Sequence, residues 1–287
     1  MKKMVLAMAL LFNFAAYGQK PVKVFINHFY TVIDSADLAA LQTADYVKNQ
    51  LCGIQTRTTQ AENGQSWTGT YIFGVDNYFE IFDQNGLKFA PDLFGTGIAL
   101  GVEDVGQIKI VGDRVQAKFK TERITRSAQI ADKLIPWFES LSISDRDTSQ
   151  KSDLSLWVME YRTEFYEYRQ LDYQHNRLSS TEYLKKFEKE RAGKILKRFT
   201  GFSIRVSSAD RFFLTTLFGE LGYQKISKNT YQLPDNFRIK LLKQTANNRS
   251  GLACVDFENS TPHNATIQIS PKVQIKLRGD KGSIFFD

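Results

Sequence analysis

Two residues in the first third of the chain have the type and setting for chemistry. His28 sits in the run Ile26-Asn27-His28-Phe29-Tyr30, and Glu80 in Tyr78-Phe79-Glu80-Ile81-Phe82. Imidazole is a proton carrier near neutral pH and the commonest metal ligand. A carboxylate among large apolar side chains is costly to bury unless it meets a cation, a donor or a metal ion, which makes Glu80 the most informative single residue. On spacing alone, His28 reads more often as a hydrogen-bonded core histidine than as a ligand. Glu160, in Trp157-Val158-Met159-Glu160-Tyr161, is a further strand carboxylate, with Arg162 and Arg169 near enough in sequence to pair with it. His175 and His263 fall in polar, turn-like segments and read as surface residues. No GxSxG, HExxH, Walker A or CxxC spacing occurs, and Gly95 to Gly101 is one residue too long for a dinucleotide loop.

The elements that would position these residues follow from periodicity. Val22 to Ile33 reads as a strand with Val24, Ile26, His28, Tyr30 and Val32 on one face. Ser35 then opens a helix carrying Leu38, Leu41, Val47 and Leu51. Strands at Ile54 to Thr59, Thr68 to Phe73 and Tyr78 to Phe82 follow, with turns at Glu62-Asn63-Gly64 and Gly74 to Asn77, making a βαβββ unit. A second copy runs from Gly97 to Tyr161 with an ill-defined helix and a strand at Val115 to Phe119. Ser179 and Glu182 have capping-box spacing at the head of a connecting helix reaching Phe199, whose lysine-rich face, interleaved with glutamates, reads as solvated. A third copy opens with the strand Phe202 to Val206 and a helix from Ser208. Leu252 to Phe257, Ala265 to Ile269, Val273 to Leu277 and Ser283 to Phe286 read as a partial fourth without its helix. The expected organisation is residues 19–170 as paired modules, 171–200 as a connecting helix and 201–287 as the third and partial fourth modules. A repeat of roughly 70 to 80 residues implies modules that pair to close a shared sheet in an α+β fold.

This repeat resembles the module of the vicinal oxygen chelate superfamily, which includes glyoxalases, extradiol dioxygenases and bleomycin or fosfomycin resistance proteins. The runs around His28 and Glu80 resemble its first-strand and fourth-strand ligand motifs, and Phe218-Gly219-Glu220-Leu221-Gly222-Tyr223 its turn from helix into second strand. The His28 strand together with Asn63-Gly64-Gln65-Ser66-Trp67-Thr68-Gly69-Thr70-Tyr71 looks like a secreted bacterial family related to these proteins. The resemblance implies that the mixed sheets are cupped, and it implies a divalent metal (Fe, Mn, Zn or Ni) held by His28, Glu80 and Glu160, with Tyr30, Trp67 and Tyr71 as pocket walls. The fourth ligand position fails, because Gly97-Ile98-Ala99-Leu100 offers no imidazole or carboxylate. Two functions stand open. One is a metal-dependent lyase, isomerase or dioxygenase that polarises an oxygen of a small substrate. The other is a non-catalytic periplasmic protein holding a small molecule in the same cup without metal.

Composition narrows the partners. Thirty-eight basic against 31 acidic residues leave +7, too modest an excess to point to nucleic acid. Lys2 and Lys3, the apolar run Val5 to Leu11 and the small-residue close Ala16-Tyr17-Gly18 read as a signal peptide over residues 1–18, so the expected location is periplasmic or extracellular. That run is too short to span a bilayer. Cys52 and Cys254 could pair after export, but a chain of this size does not require the staple.

Overall fold

The computed structural model describes residues 22–60, 66–86, 95–145, 152–173, 176–245 and 250–287. The expected signal peptide, the Glu62-Asn63-Gly64 turn and His175 lie outside the described residues.

The first unit is β1 (Phe25–Ile33), α1 (Ser35–Thr43), β2 (Gly53–Gln60), β3 (Ser66–Phe73) and β4 (Tyr78–Asp83). The residue capping α1 is Asp34 rather than Ser35: its carboxylate accepts from the Asp37 amide at 3.0 Å. Leu38 and Leu41 are buried, and a π-helical turn, Val47–Leu51, buries the remaining two of the expected apolar set. The second unit is β5 (Thr96–Val102), α2 (Gln107–Val115), β6 (Lys120–Ile130), β7 (Lys133–Ser144) and β8 (Leu154–Tyr161). Its helix is well formed, with Ile108, Val111 and Val115 buried, so Val115 to Phe119 is the helix end and the turn after it, not a strand.

In each unit the fourth strand returns parallel to the first, β4 beside β1 and β8 beside β5, while β1 and β5 pair antiparallel. The result is one eight-stranded sheet in the order β2-β3-β4-β1-β5-β8-β7-β6, two βαβββ modules joined at their first strands.

Three short helices then cross the sheet: α3 (Thr163–Arg169), α4 (Ser180–Leu184) and α5 (Glu188–Arg191), with a 3-10 turn at Lys185–Phe187. Ser179 caps α4, its hydroxyl accepting from the Glu182 amide. The expected continuous helix does not form: the path ends at Gly193, in the left-handed region at φ +73, and Leu196 is already in a strand.

The third module is β9 (Leu196–Val206), α6 (Ser208–Glu220), β10 (Gln224–Ser227), β11 (Thr230–Gln232) and β12 (Arg238–Lys243), with β12 again parallel to β9. β13 (Gly251–Gln268) lies antiparallel to β9, as β5 does to β1, but it pairs with β14 (Val273–Phe286) antiparallel along its length. The four expected fourth-module strands are therefore two long strands of one hairpin, interrupted by a register shift between Glu258 and His263. They take the place of a fourth module without its parallel closure.

One face of the large sheet packs with α1, α2 and the second sheet into a shared core. Phe29 meets Phe79 at 5.0 Å, Phe202 at 5.1 Å and Phe199 at 5.5 Å between ring centroids. Each such buried side chain contributes on the order of 2 kcal/mol. The inner face of the curl has its own aromatic core: Tyr71, Phe73, Tyr78, Met159 and Tyr161 pack beneath Phe165, Tyr166, Tyr183 and Phe187 of the crossing segment.

Candidate functional site

A bulge in β1 decides which side chains enter the inner face. β5 pairs Leu100 with Ile26 and Ala99 with His28, so Asn27 is the extra residue. The alternation flips there. Val24 and Ile26 join the main core with Phe29, not the face of His28 and Tyr30 as strict alternation predicts.

Two rows of the sheet build the site. Strand register aligns Tyr71, Glu80, Tyr30 and Gly97 in one, and Phe73, Tyr78, His28, Ala99 and Trp157 in the next. His28 and Glu80 are thus diagonal neighbours on adjacent parallel strands, with Nε2 of His28 3.9 Å from Oε1 of Glu80. Both are buried, at 7% and 9% exposure. The imidazole stacks on Tyr78 at 4.5 Å and meets the edge of Trp157 at 5.4 Å. Its Nδ1 lies 2.8 Å from Oδ1 of Asn27, whose Nδ2 donates towards the Tyr161 hydroxyl. An amide oxygen can only accept, so Nδ1 carries the proton and Nε2 presents a lone pair to Glu80. Gly97 makes room for this wall, since a Cβ there would stand 1.9 Å from the Tyr30 ring.

Burial sets the protonation. It lowers the His28 pKa to about 3, with the charge of Arg57 adding to the effect. It raises the Glu80 carboxyl to about 7, against the pull of Arg57 and a hydrogen bond from Tyr78. Tyr71 is pushed up to about 12, by burial first and by Glu80 second. At neutral pH the site therefore holds a neutral imidazole beside a carboxyl that exchanges its proton near the working pH, the condition for proton transfer to a bound molecule.

Tyr30 and Tyr71 lie buried on the inner face, and Trp67 packs against Tyr30 and Phe82. Glu160 does not join them. It shares with Leu154, Leu156 and Val158 the opposite face of the strand, and its two oxygens accept from the amides of Gly106 and Ile108 at 2.8 Å each, capping α2. Sequence reasoning missed Arg57, Asn27 and Trp157. The signal for Arg57 is a basic residue two positions from Gln55 and Thr59 in a strand whose alternate residues face inward.

A resident divalent ion would need more donors than these. The second module turns Gly97, Ala99, Trp157 and Met159 towards the pair, and among the described residues no group of three or more His, Cys, Asp or Glu is placed to hold a metal. The donor set does not fit a resident metal. A separate cleft of about 400 Å³, lined by Lys48, Gly53, Thr56, Glu190 and others, lies off the inner face and shares no residue with this site.

Paired βαβββ modules with an aromatic inner face define a protein of vicinal-oxygen-chelate-like architecture. The chain belongs to DUF5829, a family of unknown function, whose profile matches residues 26–286. Comparison with curated proteins finds no match. Among solved structures, a xylose isomerase-like TIM barrel/4-hydroxyphenylpyruvate dioxygenase fusion protein aligns at 12% identity and a TM-score of 0.44, over 80% of this chain and 35% of that one. A hypothetical protein, BH1468 from Bacillus halodurans C-125, aligns at 11% and 0.30, over 48% of this chain and 95% of its own. This chain thus spans about a third of the fusion protein's length. The fold class stands on the strand order itself.

Proposed function

We propose that this is an exported small-molecule-binding protein that uses the inner face of its first two modules without a resident metal. The observation that carries the reading is the asymmetry between modules: the first supplies His28 and Glu80, while the second supplies Ala99 and Trp157 in the matching row and turns Glu160 to the other face. What remains is an aromatic site with one proton-exchanging carboxyl and one neutral imidazole, suited to hydrogen-bond the oxygens of a small molecule. The second reading, a divalent-metal lyase, isomerase or dioxygenase, draws on the 3.9 Å His28–Glu80 pair alone.

Intrinsic fluorescence provides the test, because Trp157 touches His28. Chelator-treated protein titrated with a panel of vicinal diols, α-keto acids and aromatic acids is expected to show saturable quenching with some members. Glu80→Gln and His28→Ala should weaken the response by about tenfold or more. Binding that appears only after metal addition would favour the enzyme reading.

A further inference from the structure

The cationic side chains over the inner face have no matching acids. Arg57 on β2 lies with its guanidinium 4.1 Å over the Tyr71 ring and 5.7 Å from that of Phe187. Lys186 lies at the surface, yet its ammonium rests 3.9 Å over Tyr183 and 4.8 Å from Phe187. Neither side chain has a carboxylate within ion-pair distance among the described residues, whereas Arg162, Arg177, Lys185 and Arg198 nearby do. Arg57 Nε is buried without a hydrogen-bond partner, an arrangement that costs stability unless something else fills it. Glu80 is a carboxyl that feels the charge of Arg57. Burial raises its carboxyl above the usual carboxylate range, which weakens the balancing charge it supplies. The guanidinium also makes a side-chain hydrogen bond with Tyr71, so Nε is the donor left open, and a charged donor held against ring faces matches an oxyanion.

We propose that Arg57 and Lys186 form the mouth of the inner-face site and receive the oxyanion, a carboxylate or phosphate, of the small molecule bound there. The aromatic rings hold the guanidinium in place, so little side-chain entropy is lost when the anion arrives. Gly69 lies between Arg57 and Phe82 in the same strand row, and its lack of a side chain lets the Phe82 and Tyr71 rings close over the sheet there, since a Cβ would lie 2.8 Å from Phe82 and 3.0 Å from the Tyr71 hydroxyl. This inference rests on the inner-face binding reading and adds the charge class of its ligand.

The test is titration of chelator-treated protein with benzoate, pyruvate and phenyl phosphate against neutral benzamide, read by tryptophan fluorescence. At least one anion is expected to bind about tenfold or more tightly than benzamide, with affinity falling as salt rises. Arg57→Met should abolish that preference, Lys186→Met should reduce it, and Arg57→Lys should retain part of it with an unchanged circular dichroism spectrum. A preference for phenyl phosphate over both carboxylates assigns the oxyanion as phosphate. Benzamide binding equally well with dependence on His28 and Glu80 would overturn the anion assignment while leaving inner-face binding intact. Anion binding that depends on Arg57 but not on His28 or Glu80 would place the anion outside that site and overturn the proposal as stated. No saturable binding of any probe up to millimolar concentration would overturn both.

Discussion

Glu80 and His28 carry opposite linkage to pH. The Glu80 carboxyl is raised from 4.5 to about 7 on folding, so the folded state binds more protons than the unfolded between those values, and stability falls as pH rises through them. His28 is lowered from 6.5 to about 3, so the unfolded state binds the extra proton and stability rises with pH across that window. The two slopes offset one another where the windows overlap, and above pH 6.5 the Glu80 loss outruns the remaining His28 gain. Denaturant midpoints should therefore show stability falling by about 0.5 kcal/mol between pH 6.5 and about 8, and Glu80→Gln should flatten that decline. An equal decline in the variant would assign it to another group. At this scale alternation was enough to put Tyr30, Tyr71 and Glu80 on strand faces, while the pairing of His28 with Glu80 followed from the resemblance to ligand motifs and not from spacing. The sequence was not legible for the bulge at Asn27, which changes the face of Val24 and Ile26 and leaves no mark in composition.

Glu160 shows how an element can claim a residue that a motif assigns elsewhere. α2 begins after Gly106, a residue at φ +87 with no side chain to cap the helix, and Glu160 reaches across from β8 to accept from two of its first amides. A carboxylate at a helix N-terminus also favours the helix dipole. Glu160→Ala is expected to cost about 2 kcal/mol by thermal or denaturant unfolding and to leave ligand affinity unchanged. A loss of binding without a loss of stability would return Glu160 to the site. The crossing segment is the other lesson of this scale. Its capping residue, Ser179, and its apolar positions are readable, but the break at Gly193 and the burial of Tyr166, Tyr183 and Phe187 against the sheet depend on contacts far away in sequence.

Across the whole molecule, one module plan is used three times and then abandoned. The repeat was visible because each copy places a strand, a helix and three strands in the same order, and the parallel closure of β4, β8 and β12 bears it out. The hairpin β13–β14 was misread as separate short strands because a bend in a long strand and a turn between strands have the same local chemistry. Among the described residues no helix is long and apolar enough to cross a membrane. The inner face of the first sheet is closed by side chains from the segment between the second and third modules, so the chain that joins the sheets also completes the site. In the proposed function this site works through protein side chains and not through a resident metal. Metal analysis by mass spectrometry decides it, on protein purified without chelator or affinity metal and then dialysed against Mn, Fe, Zn and Ni in turn. Far less than one equivalent is expected in every case, unchanged by His28→Ala and Glu80→Ala. One equivalent in the parent that disappears in both variants would contradict it.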